Sequence, residues 1–334
     1  MKLLIVTQAV DEEHPILGFF CRWITEFAVH CEHVHVICLQ AGKHSLPANV
    51  SVYSLGKEAG VSRLTYLWRF YTNIWQLRHE YDNVFVHMNQ VYVILGAPFW
   101  RAWGKSIGLW YMHGSVSFSL RIAEKLTHTI FTGSPESFRL ESKKVQVTGH
   151  GIDTTHFTPD LLVSKSLDLI TVGRITEAKN LTALIDALAE LPDTTITFTI
   201  VGAAVTQGEQ DYEAKLRAHI TAKQLTDRVV FKGKVPQTQL PTVLNQARVF
   251  VTTAQNGSLD KAVLEAMACG LPVVSMAPGT QSLPLSGCQV DSISLMTEQL
   301  GEVLKAEKPE NYAEYILKNH SLTTLVRDKI LKAY

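Results

Sequence analysis

Short apolar runs recur along the chain and alternate with longer stretches whose apolar positions repeat at helical spacing. In the first half the runs fall at residues 3–7, 34–39, 51–54, 84–87, 107–111, 129–132 and 145–147. In the second half they fall at 169–172, 195–201, 229–232, 249–252 and 273–276. Several are apolar throughout instead of alternating, as expected of strands covered on both faces. Helical patterns occupy 181–191, 212–223 and 261–269, and 311–334 reads as an amphipathic helical segment. This alternation predicts an α/β class with parallel sheets joined by right-handed crossovers. Gly, Thr, Pro and Ser gather over 149–166 and a second series restarts at Leu169, so two Rossmann-like domains are expected. Their predicted bounds are 1–155 and 160–310, with 311–334 packing back across the seam.

Composition changes this picture little but excludes several functions. A length of 334 residues suits about two domains. Lys+Arg and Asp+Glu both number 31, giving a net charge of zero. That balance argues against a nucleic-acid binder and against strong polybasic attraction to membranes. Five cysteines, an odd count without a C-x-x-C pair, point to reduced thiols and a cytoplasmic setting. The opening apolar run is short and meets Asp11-Glu12-Glu13 at once, unlike a signal peptide. No apolar run approaches the ~18 residues of a membrane span. Aromatics cluster over 66–75 (YLWRFYTNIW) and 99–111. A core helix with aromatic contacts is the favoured reading of the first cluster. A helix lying at a membrane interface, with peripheral contact, is the alternative.

Three stretches carry candidate chemistry. Gly173-Arg174-Ile175-Thr176-Glu177-Ala178-Lys179-Asn180 follows a predicted strand and precedes a helix. Two cations five residues apart on such a loop can converge on one anionic group near a helix N-terminus, and a diphosphate leaving group suits that geometry. In Ser258-Leu259-Asp260-Lys261-Ala262-Val263-Leu264-Glu265, either Ser258 or Asp260 suits an N-cap, and Gly270 then Pro272 end the helix. Glu265, on an otherwise apolar face, is placed to hold vicinal hydroxyls such as a ribose's. The plainer reading of Glu265 is an i,i+4 pair with Lys261. His113, in Tyr111-Met112-His113-Gly114-Ser115, ends a predicted strand, the edge where open α/β sheets bind ligands. His87 has a similar position and a weaker case. The sequence has no D-x-D clasp, zinc-type His/Cys spacing, P-loop or G-x-G-x-x-G after the first strand. Charge on a departing diphosphate would then fall to fixed cations and helix dipoles, with no metal or other cofactor expected.

Taken together these residues resemble family 4 glycosyltransferases of the GT-B fold, over nearly the whole chain. The carriers are the first strand with the Gly18 loop, His150-Gly151-Ile152-Asp153 with Phe157, and Gly173-Arg174 with Lys179-Asn180. Leu264-Glu265-Ala266-Met267-Ala268-Cys269-Gly270-Leu271-Pro272 is the most specific match. The resemblance implies two Rossmann-like domains facing across a cleft, the first on the acceptor side and the second binding a nucleotide-sugar. It implies retaining, metal-independent transfer to a glycan or lipid-linked acceptor. Arg174 and Lys179 would stabilise the departing diphosphate, and Glu265 would hold the ribose. Backbone groups of Ser258, Leu259, Asp260 and Lys261 would approach the donor, and His113 would contact its sugar. Gly18 and Gly173 would admit the diphosphate, while Gly202 and Val235 would lie near the base.

One departure stands out. The family carries a second glutamate eight positions before the ribose-binding one, and here that position is Gly257. Asp260 or Asn256, the nearest polar side chains, is the expected substitute. The departure keeps two other functions in view: a nucleotide-sugar epimerase or hydrolase, and a non-catalytic nucleotide-sugar or glycan binder.

Overall fold

Strand order shows why the ligand edge of each sheet is where it is. The computed structural model describes every residue of the chain except Pro15, Asn256, Ser258, Ser286, Gly287 and residues 307–310. The chain divides into two units, Met1–Asp153 with Asn319–Tyr334, and Thr154–Lys318.

The first unit is built on a seven-stranded, wholly parallel sheet. Its strands are β1 (Lys2–Val10), β2 (His33–Ala41), β3 (Val50–Ser54), β4 (Asn83–His87), β5 (Ser106–Trp110), β6 (Thr129–Thr132) and β7 (Val145–Val147), in the order β3-β2-β1-β4-β5-β6-β7. Alternate strand residues face opposite cores. Leu3, Ile5, Val36, Phe85 and Phe131 pack with helix α1 (Phe20–His30). Leu4, Val6, Val84, Val86 and Leu109 pack with residues of α2 (Arg63–Gln76), α3 (Gln90–Ala102) and α4 (Phe118–Leu126). Burial on both sides accounts for the continuously apolar strand sequences.

The C-terminal segment is not one helix. Residues 311–318 belong to the second unit, where α10 (Ala313–Asn319) begins, and Asn319–Tyr334 belongs to the first. There Leu322 enters the α1 core, and so do Leu325, Val326 and Ile330 from a π-helical stretch, Leu325–Ile330. The Tyr334 hydroxyl donates to the Val84 carbonyl at 2.8 Å. A side chain at Gly108 would collide with the Tyr334 ring.

The second unit has five parallel strands: β8 (Leu167–Val172), β9 (Phe198–Val201), β10 (Val229–Gly233), β11 (Ala247–Thr252) and β12 (Val273–Ser275), ordered β10-β9-β8-β11-β12. Helices α5 (Leu181–Glu190), α6 (Gln207–Ala222), α7 (Leu240–Asn245), α8 (Lys261–Ala268) and α9 (Ile293–Lys305) accompany it. In this unit two expected element bounds move by three residues or more. β9 starts three residues into the apolar run because Asp193 accepts from the Thr195 N–H and hydroxyl, forming a turn. α6 starts five residues before the apolar pattern because Thr206 and Glu209 form a capping box.

The aromatic run over α2 also divides. Phe70 and Ile74 are buried as a core helix requires, but Trp68 is 67% and Trp75 54% exposed, so the core reading holds for one face only. All five cysteines are free and buried.

Candidate active site

In both units the strand order reverses beside the first strand, at β1/β4 and at β8/β11, and loops leaving the carboxyl ends there splay apart to form a crevice. The β8–α5 loop carries Gly173, Arg174 and Lys179, and the β11–α8 loop carries Gly257, Leu259 and Asp260. The two loops are tied together. The Thr253 hydroxyl donates to the carbonyls of Lys179 (3.0 Å) and Asn180 (2.8 Å), and the Gln255 N–H donates to the Ala178 carbonyl at 2.7 Å. Asn180 turns the chain into α5 in the left-handed region, at φ 47°.

Lys179 reaches the N-terminus of α8, where its ammonium pairs with the Asp260 carboxylate. Asp260 also accepts from the Ala262 N–H and is the N-cap of α8. A cation and a helix dipole therefore converge on one anion, here supplied by the protein itself. Gly173, at φ 149°, lies under Lys179, whose Nζ would stand 2.8 Å from any Cβ there. Gly202, at φ 142°, packs on the Gly173 carbonyl with no room for a side chain. Both glycines are thus required by backbone shape alone.

Arg174 turns to Glu209, with Nη1 2.9 Å from Oε1 and more than half of its side chain in solvent. Glu209 also accepts from the N–H groups of Val205 (2.7 Å) and Thr206 (3.0 Å). These bonds, with the Arg174 guanidinium, hold its carboxyl below the usual range. Sequence reasoning missed Glu209 as an orienter of Arg174, although its capping-box spacing was legible.

α8 is buried throughout its apolar positions, and Glu265 is only 4% exposed. Its Oε1 accepts from Gln237 Nε2 at 2.9 Å and lies 3.3 Å from Lys261 Nζ. The plain i,i+4 pair is therefore present. Gln237, which no sequence signal marked, also binds through its carbonyl to His156 Nε2 at 3.1 Å. Leu259 is buried, and Val235 is half-buried on the loop after β10. Ser258 and Asn256 lie outside the described residues; the N-cap is Asp260.

In the first unit His113 lies beyond β5, where it lines a 450 Å³ cavity with Gln8, His14, Met88, Gln90 and Tyr111. His113 Nδ1 accepts from the Ser115 N–H at 3.1 Å, so a neutral ring carries its proton on Nε2, as a donor. Met88 is held at φ 62°, a strained conformation for a side-chain-bearing residue beside a cavity. Gly18 is fixed by its own loop: a Cβ there would lie 2.6 Å from the Glu12 carbonyl oxygen and 2.9 Å from that of His14. His87 is a core residue, buried, stacked on Phe20 at 3.7 Å and bonded to Thr7.

Residues 154–282 match the model of glycosyl transferases group 1. That segment is similar to group 1 glycosyl transferases. Over 156 residues, 44% of this chain, the sequence is 30% identical to the putative colanic acid biosynthesis glycosyltransferase WcaL of Escherichia coli. Over 144 residues, 40% of the chain, it is 33% identical to the amylovoran biosynthesis glycosyltransferase AmsK of Erwinia amylovora. The matches span 37% and 34% of those relatives' lengths. Among solved structures, HepE of Anabaena, in complex with UDP, aligns over 100% of both chains with TM-score 0.78 and 20% identity. A glycosyltransferase from Rickettsia africae aligns over 99% of this chain and 98% of its own, with TM-score 0.72 and 11% identity. These likenesses show the fold, GT-B, with two parallel sheets flanked by helices.

Proposed function

We propose that the chain is a retaining glycosyltransferase that moves a sugar from a nucleoside diphospho-sugar to a glycan or lipid-linked acceptor, without a metal, in the cytoplasm. The observation that carries this reading is the meeting of Lys179 with an anion at the N-terminus of α8. A diphosphate would replace the Asp260 carboxylate there, and Arg174, mostly solvent-exposed, would swing onto it. Glu265, buried with a polar cover of Gln237 and Lys261, would accept from the ribose hydroxyls. HepE is described in complex with UDP-glucose, and two of the relatives are named for colanic acid and amylovoran biosynthesis, which supports a nucleotide-sugar donor and a glycan acceptor.

As the anomeric C–O bond breaks, charge grows on the leaving phosphate. Arg174, Lys179 and the α8 dipole stabilise it. The acceptor oxygen attacks from the same face, and its proton passes to the departing phosphate oxygen. His113, through Nε2–H, would hold the donor sugar.

The test is thermal unfolding with UDP, GDP, ADP, CDP and dTDP, each with and without EDTA. A ligand at 100 times its Kd stabilises by about 2.7 kcal/mol, a shift of roughly 5–10 °C. One diphosphate shifting the transition, indifferent to EDTA, supports the site and names the base. No shift from any of them refutes it. Donor turnover without acceptor would instead indicate an epimerase or hydrolase.

A further inference from the structure

In the first unit, α2 carries two apolar stripes, and only one is used by the core. Phe70 and Ile74 are buried. Leu64, Leu67, Trp68, Tyr71 and Trp75 recur at i, i+3, i+4, i+7 and i+11 on another face, with Leu64 80%, Trp68 67% and Trp75 54% exposed. α3 continues this face. Trp75 meets Trp103 at 5.8 Å and Tyr71 meets Phe99 at 5.5 Å, and between them runs a 360 Å³ groove. Exposed aromatics gathered in this way mark an interaction surface.

The charges around the face say what covers it. The chain as a whole is neutral, yet residues 61–79 and 83–123 contain no Asp or Glu. Arg63 and Arg101 are exposed, and Arg78 lies over the Trp75 ring at 4.7 Å. The two acids between these stretches are turned to Lys2: Glu80 lies 4.0 Å from its ammonium, and Asp82 accepts from its N–H at 2.9 Å. Tryptophans that can lie at an apolar–polar boundary, long apolar side chains and a cationic rim together suit an anionic lipid surface. No helix among the described residues is long and apolar enough to cross a membrane.

We infer that the α2–α3 face docks the protein onto an anionic bilayer, with Trp68, Trp75 and Leu64 inserted at the interface and Arg63, Arg78 and Arg101 over the headgroups. The docking does not depend on the glycosyltransferase reading, and its test uses no donor or acceptor.

The full chain is sedimented with vesicles of phosphatidylcholine alone, or of phosphatidylcholine mixed with phosphatidylglycerol. The mixed vesicles should bind it roughly tenfold or more better than the neutral ones. Raising salt from about 0.1 M to 1 M, which shortens the screening length from about 10 Å to 3 Å, should remove most of that preference. The double variant Trp68→Ser/Trp75→Ser, with its fold checked by circular dichroism, should lose at least about tenfold in binding. Bromine-labelled acyl chains should quench the tryptophan fluorescence of the unaltered protein, a readout that needs no variant. Failure to bind anionic vesicles, absence of quenching, or equal binding by a folded double variant overturns the proposal. So does a dimer of the unaltered protein that ignores vesicles and that the double variant makes monomeric, since the face would then join two copies of the chain.

Discussion

Replacing Asp260 by Asn should tighten nucleoside diphosphate binding. Asn caps a helix about as well as Asp, so α8 keeps its N-terminal bond while Lys179 loses its internal anion. The side chains of Lys179 and Asp260 are 17% and 20% exposed, between surface and interior. At an effective dielectric constant near 20, unit charges about 4 Å apart attract by ~4 kcal/mol. Desolvation and side-chain ordering offset most of that, since exposed pairs net only about 0.2–1 kcal/mol. A net of ~1–2 kcal/mol for this half-buried pair is the amount an incoming diphosphate must overcome. Its removal should lower Kd roughly 5–30-fold. Isothermal titration of the diphosphate that stabilises the protein, on both proteins under one buffer, reads the change directly. An unchanged or weaker affinity, with the fold intact, refutes the competition. The same titration with the sugar nucleotide separates a second role. If Asp260 instead grips the donor sugar in place of the glutamate missing at Gly257, the variant loses affinity for the sugar nucleotide and not for the diphosphate.

Arg174→Ala and Lys179→Ala should each lower kcat by roughly 100-fold or more, about 3 kcal/mol of lost charge stabilisation; steady-state turnover at saturating donor checks this. Glu209→Gln should flatten the acid limb of stability. Its carboxyl is held low by the Val205 and Thr206 N–H groups and then Arg174, so its contribution is complete above the ordinary value of 4.5 and fades as pH falls below it. Thermal midpoints of wild type and variant should therefore converge on acidification. Ile330→Ala, at a fully buried position in the α1 core, should cost ~2–5 kcal/mol in urea unfolding monitored on the first unit's tryptophans.

Much of the architecture was legible in the residues because it rests on local rules. Parallel strands buried on both faces must be apolar throughout, as Leu3 to Val6 and Val249 to Val251 are. Gly270 followed by Pro272 stops α8 by backbone constraint alone, and Asp260 caps it by a bond to a residue two positions away. The β8–α5 loop was recognisable for the same reason, since its two cations and its glycine lie within a single turn of chain.

What the sequence could not decide were partners distant along the chain. Whether Lys179 stands open or closed depends on Asp260, 81 positions away, and whether Arg174 is oriented depends on Glu209, 35 positions away. Glu265 likewise carried two readings, and the fold brought Gln237 onto its carboxylate while retaining the Lys261 pair. α2 carried an ambiguity of another kind. Its run of aromatics favours a core without excluding an interface, because helical periodicity shows that a face is apolar without showing what covers it. Only packing assigned Phe70 to the core and left Trp68 in solvent. Sequence thus determined the elements and the chemical inventory through short-range geometry. The tertiary structure decided which charges meet and which apolar face stays uncovered, because both depend on where the strand order brings distant loops and helices together.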